Sequence, residues 1–468
     1  MALSIAILAA GAGGMYCGSC LRDHALAAAL MRARHRVALV PMYTPLRTEE
    51  QSAADGGIFY GGVNVYLQHA SALFRHTPRL LDWLLDRPAL LKLAGRFGAQ
   101  TPPARLGPLT LSVLRGEEGP AVKELRRLLK FLKADVRPQV VSLPNLMFIG
   151  LSRLLRRELG APVVCELTGE DLFLEQMIEP YRSKSQEIIR ERVADVSAFV
   201  ATSADYADRM SRYLDIDRQR IAVVYPGVPA EYVAHDAAAT TLHERSFGSA
   251  QDGPFASAQD GPPTVGYVAR ICPEKGFGQL LDTMALLRKM PGMGDARLIA
   301  GGYLGPGDRA WFDEVMRRAE ALAPPGAIRY VGELDRRAKL ELLDSIDVLS
   351  VPSVYAEAKG MYVLEAMARG VPVVQPAHGS FPELIESTGG GITTPPGDLP
   401  ALAGALAELL RDPARRAALG RAGRDAVRGG FTDDHMARKM LAVYRDVIGR
   451  ADSTEQSPSG DAMCGKTA

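Results

Sequence analysis

One segment organises this chain and reads Val351-Pro-Ser-Val-Tyr-Ala-Glu-Ala-Lys-Gly-Met-Tyr-Val-Leu-Glu-Ala-Met-Ala-Arg-Gly370. It opens as the end of an apolar run, Asp347 to Val351, which predicts a strand, and continues through a polar loop to Gly360. From Met361 onward, apolar side chains recur at helical spacing until Gly370 ends the pattern. A strand, a loop and a helix in this order point the free N–H groups of the first helical turn at an anion.

Two carboxylates frame this segment, Glu357 in the loop and Glu365 in the helix. Carboxylates accept strong hydrogen bonds from hydroxyl groups, so the segment predicts a site for a ligand that carries both phosphate and sugar hydroxyls. The alternative is an ordinary surface helix with two solvated glutamates. If only the spacing of the two glutamates is considered, the surface helix is the favoured interpretation, because glutamate is common on helices.

The neighbouring residues reverse these odds, because the segment resembles the Glu-x7-Glu signature of retaining glycosyltransferases of family 4. That family has the α/β fold called GT-B, with two Rossmann-like domains facing across a cleft and a C-terminal helix that crosses back to the first domain. The resemblance implies that Glu357 contacts the donor sugar and that Glu365 holds the ribose of the nucleotide. It also implies diphosphate contacts from the backbone amides of Lys359, Gly360 and Met361. The family usually has Pro-Phe where this chain has Ala358-Lys359.

Length and composition indicate what broad class of protein this is. A chain of 468 residues is too long for one core, so two or more domains are expected, and 47% hydrophobic residues suffice to fill them. A net charge of +1 argues against a nucleic-acid partner. The five cysteines predict a reducing compartment, and the apolar start is interpreted as a first strand rather than a signal peptide. The expectation is a cytoplasmic enzyme.

Positive charge is concentrated between Ser71 and Gly160, where 16 Lys and Arg residues face 7 Asp and Glu residues. The patterns there predict amphipathic helices with basic faces. Core helices with solvated outer faces are the favoured interpretation. The alternative is peripheral contact with the anionic inner face of a membrane that presents a lipid-linked acceptor.

The first half opens as a strand, a glycine-rich loop, a helix and a strand, the start of a Rossmann-like domain. The glycine spacing is not that of a dinucleotide site. Within the resemblance, Gly13 and Gly14 are the candidates for donor contact. Structural or incidental thiols are the favoured interpretation of Cys17 and Cys20 over a redox pair at a helix start or a metal site, since no second Cys-x-x-Cys completes a metal site.

A later loop reads Thr168-Gly-Glu-Asp171. The family usually has a His-Gly pair here near the reacting sugar, so Thr168 departs from the pattern, and threonine is no general base near neutral pH. Glu170 and Asp171 are candidates for acceptor contacts, and capping of the following helix is at least as favoured.

The second half supplies the predicted donor site. Arg270 and Lys275 lie where a strand ends and a helix begins, and two cations there suit a diphosphate leaving group. The resemblance assigns both to the donor pyrophosphate, and it assigns Gly332 and Leu334 to the nucleobase.

The predicted domains are an acceptor domain at 1–228, a linker with a repeated eight-residue insertion at 229–263 and a donor domain at 264–430. A returning helix at 431–450 and a disordered tail at 451–468 follow. The expected activity is retaining, metal-independent transfer of a sugar from a nucleotide-diphosphate sugar, with no separate cofactor, to a hydroxyl of a glycan, a lipid-linked molecule or a small molecule. Glu357, Arg270 and Lys275 carry the chemistry, and cell-envelope polysaccharide synthesis is the expected setting. A sugar-nucleotide epimerase and a non-catalytic sugar-nucleotide binder remain alternatives.

Overall fold

The computed structural model describes residues 2–11, 18–42, 106–233 and 261–455. Its first half forms a parallel sheet in the order β2-β1-β3-β4-β5-β6. Nearly continuous burial along the first five strands is typical of a parallel sheet covered on both faces. The strands of this sheet are Ser4–Ala9 (β1), Arg36–Pro41 (β2), Val140–Leu143 (β3), Val163–Leu167 (β4), Ala198–Ala201 (β5) and Ile221–Val223 (β6).

The helices of the first half surround this sheet and follow its strands in the chain. The 3-10 turn at Leu146–Leu151 leads directly into a short α-helix, where the sequence pattern predicts one continuous helix. The α-helices are Gly18–Arg32 (α1), Gly107–Leu114 (α2), Val122–Phe131 (α3), Ser152–Leu159 (α4), Asp171–Glu175 (α5), Tyr181–Arg192 (α6) and Ala204–Leu214 (α7).

The second half repeats the architecture with a parallel sheet in the order β12-β11-β10-β7-β8-β9. Its strands are Thr264–Val268 (β7), Arg297–Gly301 (β8), Ile328–Tyr330 (β9), Val348–Leu349 (β10), Val373–Pro376 (β11) and Gly391–Thr394 (β12). Its helices are Phe277–Leu287 (α8), Arg309–Glu320 (α9), Arg336–Asp344 (α10), Met361–Ala368 (α11), Phe381–Thr388 (α12), Leu399–Arg411 (α13) and Pro413–Gly430 (α14).

The final helix, Asp433–Glu455 (α15), returns to the first domain. Its buried face, which includes Met440 and Tyr444, joins the same apolar cluster as Ile5 and Leu26. Arg32 of α1 holds its start through ion pairs of 2.7 and 2.8 Å to the first two carboxylates of the helix. This arrangement confirms the predicted GT-B fold. The expected disordered tail is wrong for residues 451–455, which continue the helix, and the rest of that tail lies outside the described residues.

Candidate functional site

A cavity of about 460 Å³ lies between the two domains. The first domain contributes Thr168, Asp171 and Arg209 to its walls, and the second domain faces them across the cleft. The second-domain residues of most chemical interest are those that the sequence singled out, namely Arg270, Lys275, Leu334, Glu357, Lys359, Met361 and Glu365. The cavity is also lined by Ser19 of α1, so the structure brings together side chains that are up to about 350 positions apart in the chain.

Glu357 lines this cavity and is buried, in the loop between β10 and α11. The ammonium group of Lys275 donates a short hydrogen bond to the Oε2 atom of Glu357. The hydroxyls of Tyr355 and Tyr362 donate to the same oxygen, at 3.3 and 3.2 Å. Glu357 is thus held by one cation and two phenols, and the sequence indicated neither the ion pair nor the two tyrosines.

The charges of this pair stabilise each other. Burial on its own raises the pKa of Glu357, but the charge of Lys275 and its hydrogen bond outweigh burial, so the pKa lies below its usual value. For Lys275, burial favours a lower pKa, and the charge of Glu357 reverses that effect and raises the pKa. Both groups are therefore charged at neutral pH.

A glycine allows Lys275 to reach this position. Lys275 ends the 3-10 turn Pro273–Lys275, and Gly276 then begins α8 with a φ of 72°. A Cβ at this glycine would lie 1.8 Å from the carbonyl oxygen of Pro352, in the neighbouring loop. Only a residue without a Cβ lets the two loops approach this closely, and their approach brings Lys275 to Glu357.

Arg270 follows β7 and has a half-exposed guanidinium group on the cavity wall. Its Nε atom donates to the Sγ atom of Cys272 at 3.3 Å, and a carboxylate oxygen of Glu274 lies 3.9 Å from Nη2. These are weak contacts, so the guanidinium can turn toward an anion in the cleft. The predicted convergence of Arg270 and Lys275 on one cavity agrees with this geometry, although Lys275 is engaged by Glu357.

Glu365 lies in α11 and is buried against Lys339 of α10. The Nζ atom of Lys339 donates to the Oε1 atom of Glu365 at 2.7 Å. Sequence reasoning missed Lys339, which lies three and four positions before Leu342 and Leu343 on the buried face of its helix. A lysine on the apolar face of an amphipathic helix was the signal that could have revealed it.

Of the two residues expected to contact the nucleobase, one lines the cavity and the other does not. Leu334 lines the cavity beside Gly301, Gly302 and Tyr303. Gly332 is not among the lining residues, and its carbonyl oxygen accepts a hydrogen bond of 2.8 Å from the amide of Gly302. Gly332 thus supports the loop that borders the cavity.

The expected acceptor contacts need a correction at Glu170. Its buried carboxylate accepts hydrogen bonds from the amides of Thr168 and Leu146, at 2.7 and 3.0 Å, and it does not line the cavity. Glu170 occupies the N-cap position of α5, but its side chain makes no capping hydrogen bond. Burial, opposed by these amides, raises the pKa of Glu170 to about 7. Thr168 and Asp171 do face the cavity.

The structure describes only part of the predicted glycine-rich loop and Cys-x-x-Cys segment that follow β1. Gly13, Gly14 and Cys17 lie outside the described residues, whereas Cys20 is buried in α1. In the described parts of the chain, no group of three or more His, Cys, Asp and Glu residues is placed to hold a metal ion. Among the same residues no helix combines the length and hydropathy needed to cross a membrane.

Comparison with known proteins follows the same division of the chain. Residues 94–232 match the family model described as Glycosyltransferase Family 4, and residues 252–426 match the model described as Glycosyl transferases group 1. A D-inositol 3-phosphate glycosyltransferase from Corynebacterium urealyticum is 29% identical over 60% of this chain. The alignment spans 64% of the length of that relative.

Two solved structures share the fold over nearly the whole chain. Sucrose-phosphate synthase from Thermosynechococcus elongatus is 18% identical and superposes with a TM-score of 0.68, covering 95% of this chain and 99% of its own. The Anabaena protein HepE, solved in complex with UDP and glucose, is 17% identical with a TM-score of 0.61, covering 95% and 100%. Because glycosyltransferase family models match residues 94–232 and 252–426, in the first and second halves, the chain is a member of glycosyltransferase family 4.

Proposed function

We propose that this protein is a retaining glycosyltransferase that moves a sugar from a nucleotide-diphosphate sugar to an acceptor hydroxyl. The observation that carries the proposal is the pairing of Lys275 with Glu357 beside Arg270, in a cavity that also holds the Glu365–Lys339 pair. Cations suit a diphosphate, and buried carboxylates suit sugar and ribose hydroxyls. One cavity therefore offers a complementary group to each part of a sugar nucleotide.

In the proposed reaction the bond between the sugar and the diphosphate breaks as negative charge grows on the leaving phosphate. Arg270 and Lys275 neutralise that charge, which is the main electrostatic demand of the step. We propose that these two cations stabilise the leaving phosphate in the way that a metal ion does in other transferases. Glu357 orients the sugar through its hydroxyls. The acceptor hydroxyl attacks the same face of the sugar, and a leaving phosphate oxygen takes its proton.

The cleft has a second role in this proposal. The acceptor binds against the first domain near Thr168 and Asp171, and the donor binds in the second domain. Enclosing the two substrates between the domains excludes water, which would otherwise hydrolyse the donor. We propose a uridine nucleotide as the donor, because HepE was solved with UDP. A phosphorylated polyol is the first acceptor to test, given the name of the Corynebacterium relative.

Donor binding is testable by thermal stabilisation of the full chain with UDP, GDP and ADP and with their glucose conjugates. We expect one nucleotide class to raise the Tm, corresponding to about 2.7 kcal/mol at a ligand concentration of 100 Kd. The shift, measured against each protein's own ligand-free Tm, should disappear in Glu365→Ala. It should persist in Glu386→Ala, which changes an exposed glutamate on α12.

The outcome separates the proposed activity from its alternatives. No shift with any nucleotide would contradict the donor site altogether. Tight binding without turnover of the sugar nucleotide would indicate a non-catalytic binder. Conversion of the donor to its epimer, without transfer to an added polyol phosphate, would indicate an epimerase.

Peripheral membrane contact is a further proposal, supported by exposed cations on α3 and α4, which contact each other. Arg126, Lys130 and Arg156 are exposed there, while Lys133 forms a 2.8 Å ion pair with Glu158. Such a surface attracts anionic lipid headgroups. We expect the protein to float with anionic liposomes at low salt and to stay behind with neutral liposomes. Equal behaviour with both would contradict the contact.

A further inference from the structure

The first domain holds the loop that carries Glu357, although that loop belongs to the second domain. The Nη2 atom of Arg209 donates to the carbonyl oxygen of Ala356 at 3.1 Å, and the hydroxyl of Thr202 donates to the carbonyl oxygen of Ala358 at 2.8 Å. These two bonds hold the carbonyl groups of the residues directly before and directly after Glu357. A third bond, 2.5 Å long, joins the ammonium group of Lys359 to the hydroxyl of Ser19.

Arg209 is itself fixed by the acceptor side of the cleft. Its guanidinium lies over the ring of Tyr206, with 4.8 Å between the guanidinium carbon and the ring centroid. A carboxylate oxygen of Asp171 lies 3.7 Å from Nη1, and the other oxygen of Asp171 accepts from the hydroxyl of Tyr206 at 2.8 Å. The same hydroxyl accepts from the amide of Gly169 at 2.9 Å. Asp171 and Gly169 both line the cavity.

These contacts form one continuous path from the acceptor wall to the donor loop. Asp171 is buried, so solvent does not screen its charge from Arg209. A ligand that forms a hydrogen bond to Asp171 therefore changes the interaction between Asp171 and Arg209. Arg209 in turn bonds the carbonyl of Ala356, the residue directly before Glu357. A shift of that peptide group moves the Glu357 carboxylate relative to the donor sugar, and small misplacements of catalytic groups are costly.

We propose that Arg209 is a positioning residue that couples acceptor binding beside Asp171 to the placement of Glu357 in the donor loop. The inference rests on the proposed transferase function, and it goes beyond it by assigning this role to a first-domain residue that contacts neither donor carboxylate. An acceptor that engages Asp171 strengthens the arrangement in which Glu357 faces the sugar. The coupling is reciprocal, so bound donor also raises acceptor affinity.

The role of Arg209 predicts a separation between binding and turnover. The cluster of Glu365, Lys339 and Arg270, which is proposed to bind the nucleotide, makes no hydrogen bond to Arg209 among those described. Loss of Arg209 should therefore leave nucleotide binding nearly unchanged while it lowers the rate of sugar transfer. A residue that only supports the fold would lower both together.

The test uses the full chain with Arg209→Gln, Arg209→Lys and the control Arg212→Gln, which alters an exposed arginine on the same helix. UDP is the binding probe, and UDP release from UDP-glucose, with and without inositol phosphate, reports turnover. We expect the Kd for UDP to stay within about 2-fold in all variants. In Arg209→Gln, kcat should fall about 10- to 100-fold with little change in the donor KM, a loss of the size expected from misplacing a catalytic group.

Two further results are expected if the path exists. Arg209→Lys should recover part of the lost kcat, because an ammonium group can reach the Ala356 carbonyl but cannot also face Asp171 as a planar fork. Asp171→Asn should lower the same step, and the double variant should lose less than the sum of the two single losses.

Unchanged kcat in Arg209→Gln would overturn the inference, as would a parallel loss of UDP affinity and turnover. If Arg209→Gln fails to fold, Thr202→Val removes the neighbouring bond to the loop, and it must then produce the same fall in kcat without loss of UDP binding. A wild-type protein that neither binds UDP nor releases it from UDP-glucose would instead refute the proposed function, and with it this inference. The two failures are thereby distinguishable.

Discussion

Replacing Lys275 by methionine is expected to lower kcat/KM by about 10²- to 10³-fold, the loss typical of removing one group that stabilises transition-state charge. The same change should destabilise the protein by about 3 kcal/mol, because it leaves the buried Glu357 carboxylate without its cation. Urea unfolding and steady-state kinetics measure the two effects. Lys184→Met, at an exposed position on α6, is the control and should change stability by less than about 0.5 kcal/mol.

The double variant Lys275→Met with Glu357→Gln separates the two roles of the pair. Removing both charges removes the cost of an unpaired buried ion, so most of the lost stability should return. Activity should not return, because neither charge is then available to the donor. Stability losses that simply add in the double variant would contradict a direct interaction between the two residues.

Acid conditions give an independent check on this pair. A carboxylate whose pKa is lowered in the folded protein adds stability above its usual pKa of 4.5, and that stability is lost as the pH falls through the lower, folded-state value. The free energy of unfolding of the wild type, measured relative to the double variant, should therefore be constant above about pH 4.5 and fall below that pH. A difference that changed between pH 6 and 8 would argue against this assignment.

Replacing Gly379 by alanine is expected to damage both stability and turnover strongly, although it adds a single methyl group. This glycine has a φ of 61°, and a Cβ there would lie 2.4 Å from the amide nitrogen and 2.5 Å from the carbonyl oxygen of Glu357. Both atoms belong to backbone, which cannot rotate away as a side chain can. We expect about 3 kcal/mol of destabilisation from overpacking and strain, and about a 10²-fold loss of turnover from displacement of Glu357.

The matched control is Gly404→Ala in the middle of α13. The glycine is exposed and a Cβ there meets nothing within 4 Å, so alanine should instead stabilise the protein by about 0.5–1 kcal/mol. Thermal and chemical unfolding of both variants, with turnover measured in parallel, tests the pair. Wild-type stability in Gly379→Ala would show that the loops do not pack as described.

Much of the fold follows from short-range pattern. The apolar runs that form β1 and β7 are each followed along the chain by a helix, α1 and α8, and the segment from Val351 to Gly370 contains α11 where its periodicity predicts a helix. Such signals are local, since strand and helix periods depend on neighbours within a few residues. The resemblance of these local motifs to those of a known family predicted Arg270, Lys275, Glu357 and Glu365 as donor-site residues, and all four line the cavity between the domains.

The pairing of these groups was decided by tertiary structure. Lys275 is 82 residues from Glu357, and Lys339 is 26 residues from Glu365. The partner of a buried charge depends on which helices and loops pack together, and no local pattern encodes that. Glu170 shows the same limit, because a carboxylate in a polar loop looks like a ligand contact until the amides it accepts from are known.

By itself, then, the sequence determined the strands and helices of two α/β domains, because periodicity and glycine positions are properties of short segments, and its resemblance to glycosyltransferase family 4 predicted the GT-B architecture and the charged residues that line the cleft. Only the tertiary structure decided that Lys275 pairs with Glu357, that Lys339 holds Glu365 and that Arg209 reaches across the cleft to Ala356. The physical reason is that burial makes an unpaired charge costly, and the partner that removes this cost comes from whichever element the packed fold brings within hydrogen-bonding distance.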